Sequence, residues 1–111
     1  MRAFQVHIRD GVLQPGVFTP HGGGMSVDWS EYATPEKTLM RAPKPWANAV
    51  IEMNVGEIRA IPPLDVLHTP EPDNQAHCDV PLPDAREELT QVRLQLKRIA
   101  TIVIPINPRI A

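Results

Sequence analysis

A small α+β domain is the fold this sequence predicts: a mixed or antiparallel sheet, two short helices, and a C-terminal amphipathic helix packed on the sheet. Three observations lead there. Short stretches that alternate apolar and polar residues, or are apolar throughout, recur as far as Val80. Thirteen prolines against six glycines cut the chain into short elements with stiff connections, because proline fixes φ and removes a backbone donor. Beyond Asp84 a single apolar stripe at helical spacing follows. Runs of strands beside segregated helices give α+β rather than a parallel α/β sheet.

Phe4, Val6 and Ile8 alternate with Gln5, His7 and Arg9, which predicts a half-buried first strand. Asp10-Gly11 supplies a turn, and Val12-Leu13 with Val17-Phe18 a second short strand. The stretch His21-Gly22-Gly23-Gly24 is a loop leading into an extended Met25-Ser26-Val27-Asp28-Trp29. Thr34-Pro35-Glu36 starts a brief helix: threonine caps exposed N–H groups, proline suits the first turn, and glutamate complements the dipole. It must end before Pro43. Residues 49–53 (Ala-Val-Ile-Glu-Met) read as a central strand. Asn54, with Glu57 three residues on, forms a capping box for a short helix carrying Ile58 and Ile61 and stopping at Pro62-Pro63. Residues 64–67 and 76–80 are two further strands around a turn at 70–74.

Asp84 caps the last helix. Ala85, Leu89, Val92, Leu96, Ile99 and Val103 follow at intervals of four, three, four, three and four, one face of a helix. Lys97 and Arg98 suit its C-terminal dipole, and Pro105 ends it at the latest, with Thr101-Ile102-Val103-Ile104 already leaving it. The order is β-β-α-β-α-β-β-α, in a single α+β domain over residues 1–104 with a tail at 105–111.

Composition narrows the function classes. A chain of 111 residues supports one hydrophobic core, and 42% apolar with 22% charged residues is ordinary for a globular protein. No apolar run approaches the ~20 residues needed to cross a bilayer, so no membrane role is expected. Met1-Arg2-Ala3-Phe4-Gln5-Val6-His7 lacks the apolar core of a secretory signal, and one cysteine forms no intrachain disulfide. Cytoplasmic residence is the expectation. At net charge −2 the basic residues are dispersed, with only Arg93, Lys97 and Arg98 clustered, so nucleic acid is not an expected partner. An aromatic content of 5% argues against a stacking platform for single strands. No cofactor motif is present; the glycine loop after His21 lacks the Lys-Ser/Thr end of a phosphate-binding loop.

The densest chemistry lies in residues 68–79, which hold two of the four histidines, the only cysteine and the carboxylates Glu71, Asp73 and Asp79. Zinc is the first idea for His68, His77 and Cys78, with Asp73, Asp79 or His21 as a further ligand. Consecutive residues on a strand point to opposite faces, however, so His77 and Cys78 cannot share an ion, and no metal site is assigned. Acid–base chemistry is the second: His68 and His77, set across a tight turn, supply the candidate catalytic pair, and Arg9, beside His7, steadies an anion. Cys78 reads as a small buried residue rather than a nucleophile. Ser26, Asp28 and Trp29 are candidate pocket residues, with the hydroxyl and indole N–H as polar handles. Asn74 joins them as a ligand-facing candidate, although it and Asp73 are also natural turn formers. Arg86, Arg93 and Lys97 read as a solvated helix face.

The blocks Gly24-Met25-Ser26-Val27-Asp28-Trp29, Glu52-Met53-Asn54-Val55-Gly56-Glu57-Ile58-Arg59, and His68-Thr69-Pro70 through Ala76-His77 resemble those of a group of small bacterial proteins without assigned activity, often accessory or mobile-element cargo. The resemblance implies a self-standing bacterial domain and transfers no catalytic residue.

The leading expectation is an accessory domain that binds a small molecule or a protein partner at the surface formed by residues 26–29 and 68–77. A homodimer is compatible with this size. The competing expectation is an enzyme acting on a nucleotide or phosphoester, with His68 and His77 exchanging protons. A concave apolar surface beside Trp29 favours binding; two imidazoles sharing a cleft with Arg9 favour catalysis.

Overall fold

The computed structural model describes residues 1–20 and 24–106. The expected loop at His21, Gly22 and Gly23, and residues 107–111 of the expected tail, lie outside the described residues. In chain order the elements are β1 (Arg2–Phe4), β2 (Ile8–Arg9), β3 (Val12–Leu13), β4 (Gly24–Asp28), α1 (Pro35–Met40), β5 (Asn48–Glu52), α2 (Val55–Arg59), β6 (Leu67–His68), β7 (His77–Pro81), α3 (Arg86–Ile99) and β8 (Thr101–Ile104). The fold is α+β. Its strands form three separate sheets, ordered β1-β5-β8, β2-β3 and β4-β7-β6, and every pairing is antiparallel rather than mixed.

The first expected strand is interrupted. β1 pairs with β5 only as far as Phe4↔Asn48, because the chain before Asn48 is already wound into a 3-10 turn, Pro45–Ala47. With no ladder to join, Gln5–His7 form a 3-10 turn of their own, and Val6 is left exposed. The Asp10-Gly11 turn forms as expected: φ is 51° at Asp10 and 76° at Gly11, the paired positive values of a type I′ hairpin joining β2 to β3. Pro15–Val17 make another 3-10 turn where the second strand was expected to continue, yet Val17 and Phe18 still bury their side chains.

Both short helices start where their caps place them. Thr34 Oγ1 accepts from Lys37 N at 3.2 Å, and Asn54 Oδ1 accepts from Glu57 N at 3.1 Å. In α3 the cap position falls to Ala85, which has no side-chain oxygen to offer, so Asp84 does not cap it. Val92 and Leu96 of the stripe are buried, with Leu89 and Ile99 packed against the core. The stripe does not continue to Val103 on the helix. Ala100 turns extended at ψ 138°, and residues 101–104 become β8, paired with β5 through Ile51↔Ile102 and Glu52↔Thr101. Two forces favour the strand: the β-branched run Thr-Ile-Val-Ile, and the open edge of β5, whose backbone groups need partners. The helix thus packs beside the sheet and hands the chain back into it. β5 is central, as its apolar faces require. Ile106 packs against the core, so the packed body continues past residue 104.

The third sheet sets up the site. Its register is Ser26↔Asp79, Val27↔Cys78 and Asp28↔His77 between β4 and β7, and Leu67↔Asp79 and His68↔Cys78 between β6 and β7. Directly opposed residues share a face. Met25, Val80, Val27 and Cys78 therefore face the core, while Ser26, Asp28, His77 and Asp79 face the other way. Met25, Val80 and Cys78 join Phe18, Ile51, Val92 and Leu96 in the core cluster.

Candidate functional site

Two hollows adjoin β4, and Met1, Val27, Asp28 and Thr38 line both. The larger, with a volume of about 580 Å³, is lined by Val27, Trp29, Ala33, Val50, Ile51, Ile58, Val66 and Cys78, and by the exposed residues Val55, Glu52, Arg59 and His68. Its buried walls are apolar apart from Thr38, because they are largely the inward faces of β4, β5, β7 and α2. At the mouth Trp29, Tyr32 and His68 form an aromatic group. Tyr32 and His68 stack with ring centroids 5.7 Å apart and planes 12° from parallel. Trp29 meets Tyr32 edge-on at 5.3 Å and His68 at 5.2 Å, the arrangements that aromatic quadrupoles favour. His68 Nε2 lies 2.8 Å from the Gln75 carbonyl oxygen. A carbonyl only accepts, so this nitrogen carries the proton and the ring is held as part of the rim.

The smaller hollow, about 350 Å³, is polar and lined by Arg2, Ser26, Asp28, Thr38, Arg41, Glu71, Asp73, Asn74 and His77. Between the two hollows stands Asp28, which lines both. Its Oδ2 accepts from Thr38 Oγ1 at 2.7 Å and from Arg41 Nη1 at 2.9 Å. Its Oδ1 accepts from Asn74 Nδ2 at 2.8 Å. One carboxylate therefore ties β4 to α1 and to the turn before β7. Burial pushes this carboxyl up, but the Asn74 and Thr38 bonds, the Arg41 charge and the Met1 ammonium outweigh it and hold the group below its ordinary value of 3.8. Asn74 Oδ1 also accepts from Ala76 N at 3.1 Å, an Asx turn. Asp28 and Asn74, both expected to face a ligand, thus spend their polar atoms on each other and on the scaffold.

On the same face His77 is fixed from both sides of its ring. Nδ1 lies 2.9 Å from the Thr69 carbonyl oxygen and 3.0 Å from Thr69 Oγ1, while Thr69 Oγ1 donates to Asp79 Oδ2 at 3.1 Å. Nε2 lies 3.3 Å from Ser26 Oγ, 3.8 Å from Glu71 Oε1 and 3.9 Å from Asp79 Oδ1.

The register separates the expected histidine pair. His68 sits opposite Cys78 and His77 beyond it, so the two imidazoles point to opposite faces of the sheet and do not share a hollow. Proton exchange between His68 and His77 has no geometry here. Arg9, exposed on β2 opposite Val12, lines neither hollow, so it does not complete an anion site with them. Ser26, Asp28, Asn74 and His77 are brought together around the polar hollow, and Trp29 and His68 around the apolar one. Cys78 is buried, and its own burial followed by the Asp28 and Asp79 charges pushes the thiol up. Among the described residues no group of three His, Cys, Asp or Glu side chains is arranged to hold a metal ion, and no helix is long and apolar enough to cross a membrane.

The sequence does not single out Thr38, Arg41 or Thr69, nor the β5 and α2 walls of the apolar cavity; Asp79, a candidate metal ligand there, instead accepts from Thr69 beside His77. A signal for part of this existed. β4 and β7 each alternate polar and apolar residues, so pairing them necessarily assembles Ser26, Asp28, His77 and Asp79 on one polar face. No protein-family model, curated protein or solved structure matches the chain.

Proposed function

We propose that this protein is a binding domain for a compact, mostly apolar small molecule, which enters beside Trp29 and His68 and rests on Val50, Ile51 and Ile58. The observation that supports this reading is the cavity itself. At about 580 Å³ it falls within the ~300–1,000 Å³ range of small-molecule sites, and it has the apolar walls and few polar groups typical of them. Two of the polar groups on its wall, Asp28 and Thr38, bond to each other and are poor candidates to react. The charged pair at the rim, Glu52 and Arg59, leaves room for a ligand with one polar end. Arg59 is itself steadied by Asp65 at 2.8 Å and the Val66 carbonyl oxygen at 3.0 Å.

The test is titration with an uncharged, environment-sensitive naphthalene dye, followed by its emission and by Trp29 fluorescence in a Trp46→Phe background. Trp46 lines neither hollow, so the remaining indole reports the mouth of the cavity. Saturable one-to-one binding is expected. Ala33→Phe, which fills part of the cavity, should weaken it roughly tenfold or more, about 1.4 kcal/mol. Non-saturating binding, or binding indifferent to Ala33→Phe, would refute the reading.

A further inference from the structure

We propose that the polar hollow holds a second, independent activity: Ser26 is a nucleophile activated by His77, acting on small carboxylic esters. The tautomer carries the case. The Thr69 carbonyl oxygen, 2.9 Å from Nδ1, can only accept, so the neutral imidazole keeps its proton on Nδ1. Thr69 Oγ1 gives its own hydrogen to Asp79 and so also accepts from Nδ1. Nε2 is left with its lone pair directed at Ser26 Oγ, 3.3 Å away. This is the relation of a serine to its general base, with a third group orienting the base.

Two further features fit a reactive role better than a structural one. Ser26 is exposed, and among the described residues its hydroxyl has no other hydrogen-bond partner, so the fold does not depend on it. Glu71 and Asp79 lie 3.8 and 3.9 Å from Nε2. They are placed to stabilise the imidazolium that forms when Ser26 gives up its proton. Thr69 and Asp79 are positioning residues in this scheme. Arg2 lines the same hollow and supplies positive charge for the oxyanion of a tetrahedral intermediate. At about 350 Å³ with a polar lining, the hollow suits a short acyl group.

The chemistry closes with water as co-reactant. Ser26 Oγ bonds to the ester carbonyl carbon as its proton passes to Nε2. The carbon–alkoxy bond then breaks, and the alkoxide takes that proton and leaves as the alcohol. Water, losing a proton to Nε2, adds to the acyl carbon. The bond to Oγ breaks, Ser26 recovers a proton, and the carboxylic acid is released.

The experiment uses the full chain with p-nitrophenyl acetate as substrate and a fluorophosphonate as covalent probe, read by p-nitrophenol release and by peptide mass mapping. Hydrolysis above the uncatalysed rate, and a phosphonyl adduct on Ser26, are expected. S26A should lose the adduct and lower the rate roughly 100-fold, a typical share for a nucleophile and base acting together. H77Q should lower both, with circular dichroism confirming its fold; D79N, which keeps the Thr69 and His77 backbone contacts, gives a milder loss of rate if H77Q unfolds. No adduct on Ser26, or S26A hydrolysing as fast as the parent chain, would overturn the proposal.

Discussion

Replacing Asp28 by alanine removes the group that joins three parts of the molecule, and its cost can be worked from the contacts. The carboxylate takes hydrogen bonds from Thr38, Arg41 and Asn74. Thr38 is only 6% exposed, so its hydroxyl would be stranded out of reach of water. Bonds to a charged partner contribute about 1.5–3 kcal/mol each. Arg41 counts for less: its side chain is 36% exposed, and solvent screening brings such a pair to about 0.5 kcal/mol. Relaxation of the turn around Asn74 recovers part of the sum. The expected loss for Asp28→Ala is therefore about 3–5 kcal/mol, a large share of the stability of a domain this size.

Urea unfolding followed by far-ultraviolet circular dichroism measures it, with Thr38→Val and Asn74→Ala as single-contact controls. The double variant Asp28→Ala/Asn74→Ala should cost less than the two singles added, because both remove the same bond. The pH dependence carries the same information with a definite sign. The carboxyl sits below its ordinary 3.8 in the folded protein, so its contribution is fully present above that value and is lost as pH falls through the lower folded value. Asp28→Asn should flatten stability in that acid range. A loss under about 1 kcal/mol for Asp28→Ala, with the acid slope unchanged in Asp28→Asn, would refute this account of what holds β4, α1 and the turn together.

Two other outcomes follow from the packing. Leu96→Ala, at a position with no exposed surface, should cost about 2–5 kcal/mol in urea unfolding, while Leu94→Ala on the solvent side of α3 should change stability by about 0.5 kcal/mol or less. Cys78 is 3% exposed with its thiol pushed up, so Ellman's reagent should react slowly with the folded chain and at once in urea. An apolar ligand in the cavity that Cys78 lines should slow the reaction further.

Local chemistry made much of the fold legible. Thr34-Pro35 and Asn54 announce the short helices through their caps, Asp10-Gly11 a two-residue hairpin, and the apolar residues 49–51 a central strand. These signals depend only on near neighbours. What stayed hidden depends on partners far along the chain. Nothing in Gln5, Val6 and His7 says that β5 begins too late to pair with them. The end of α3 is only partly legible for a related reason. The stripe keeps helical spacing from Leu96 through Ile99 to Val103, while the β-branched run in residues 101–104 favours a strand. Which preference wins is decided by the open edge of β5, half the chain away.

The site shows the same divide at single-residue precision. A bend at residues 70–74 was enough to predict that two histidine-bearing strands meet, but not which side each imidazole takes. That is a matter of parity. Because His68 pairs with Cys78, the ring of His68 shares its face with the even-numbered residues of β7, and the ring of His77 with the odd-numbered ones. A slip of one residue in that pairing would bring the two rings onto a common face, while a slip between β4 and β7 would dissolve the Ser26–His77 contact. The register is held by burial: Cys78 and Val80 must face the core, and the Glu71↔Asn74 bridge with the Asn74–Asp28 bond fixes the length of the bend. The same hydrophobic pattern that seats β7 therefore divides the chemistry, giving the aromatic rim one histidine and the serine the other. Asn74→Ala is the variant that loosens this lock without touching either ring. If parity is held as described, it should disturb the Ser26–His77 face through the bend while leaving the cavity dye bound.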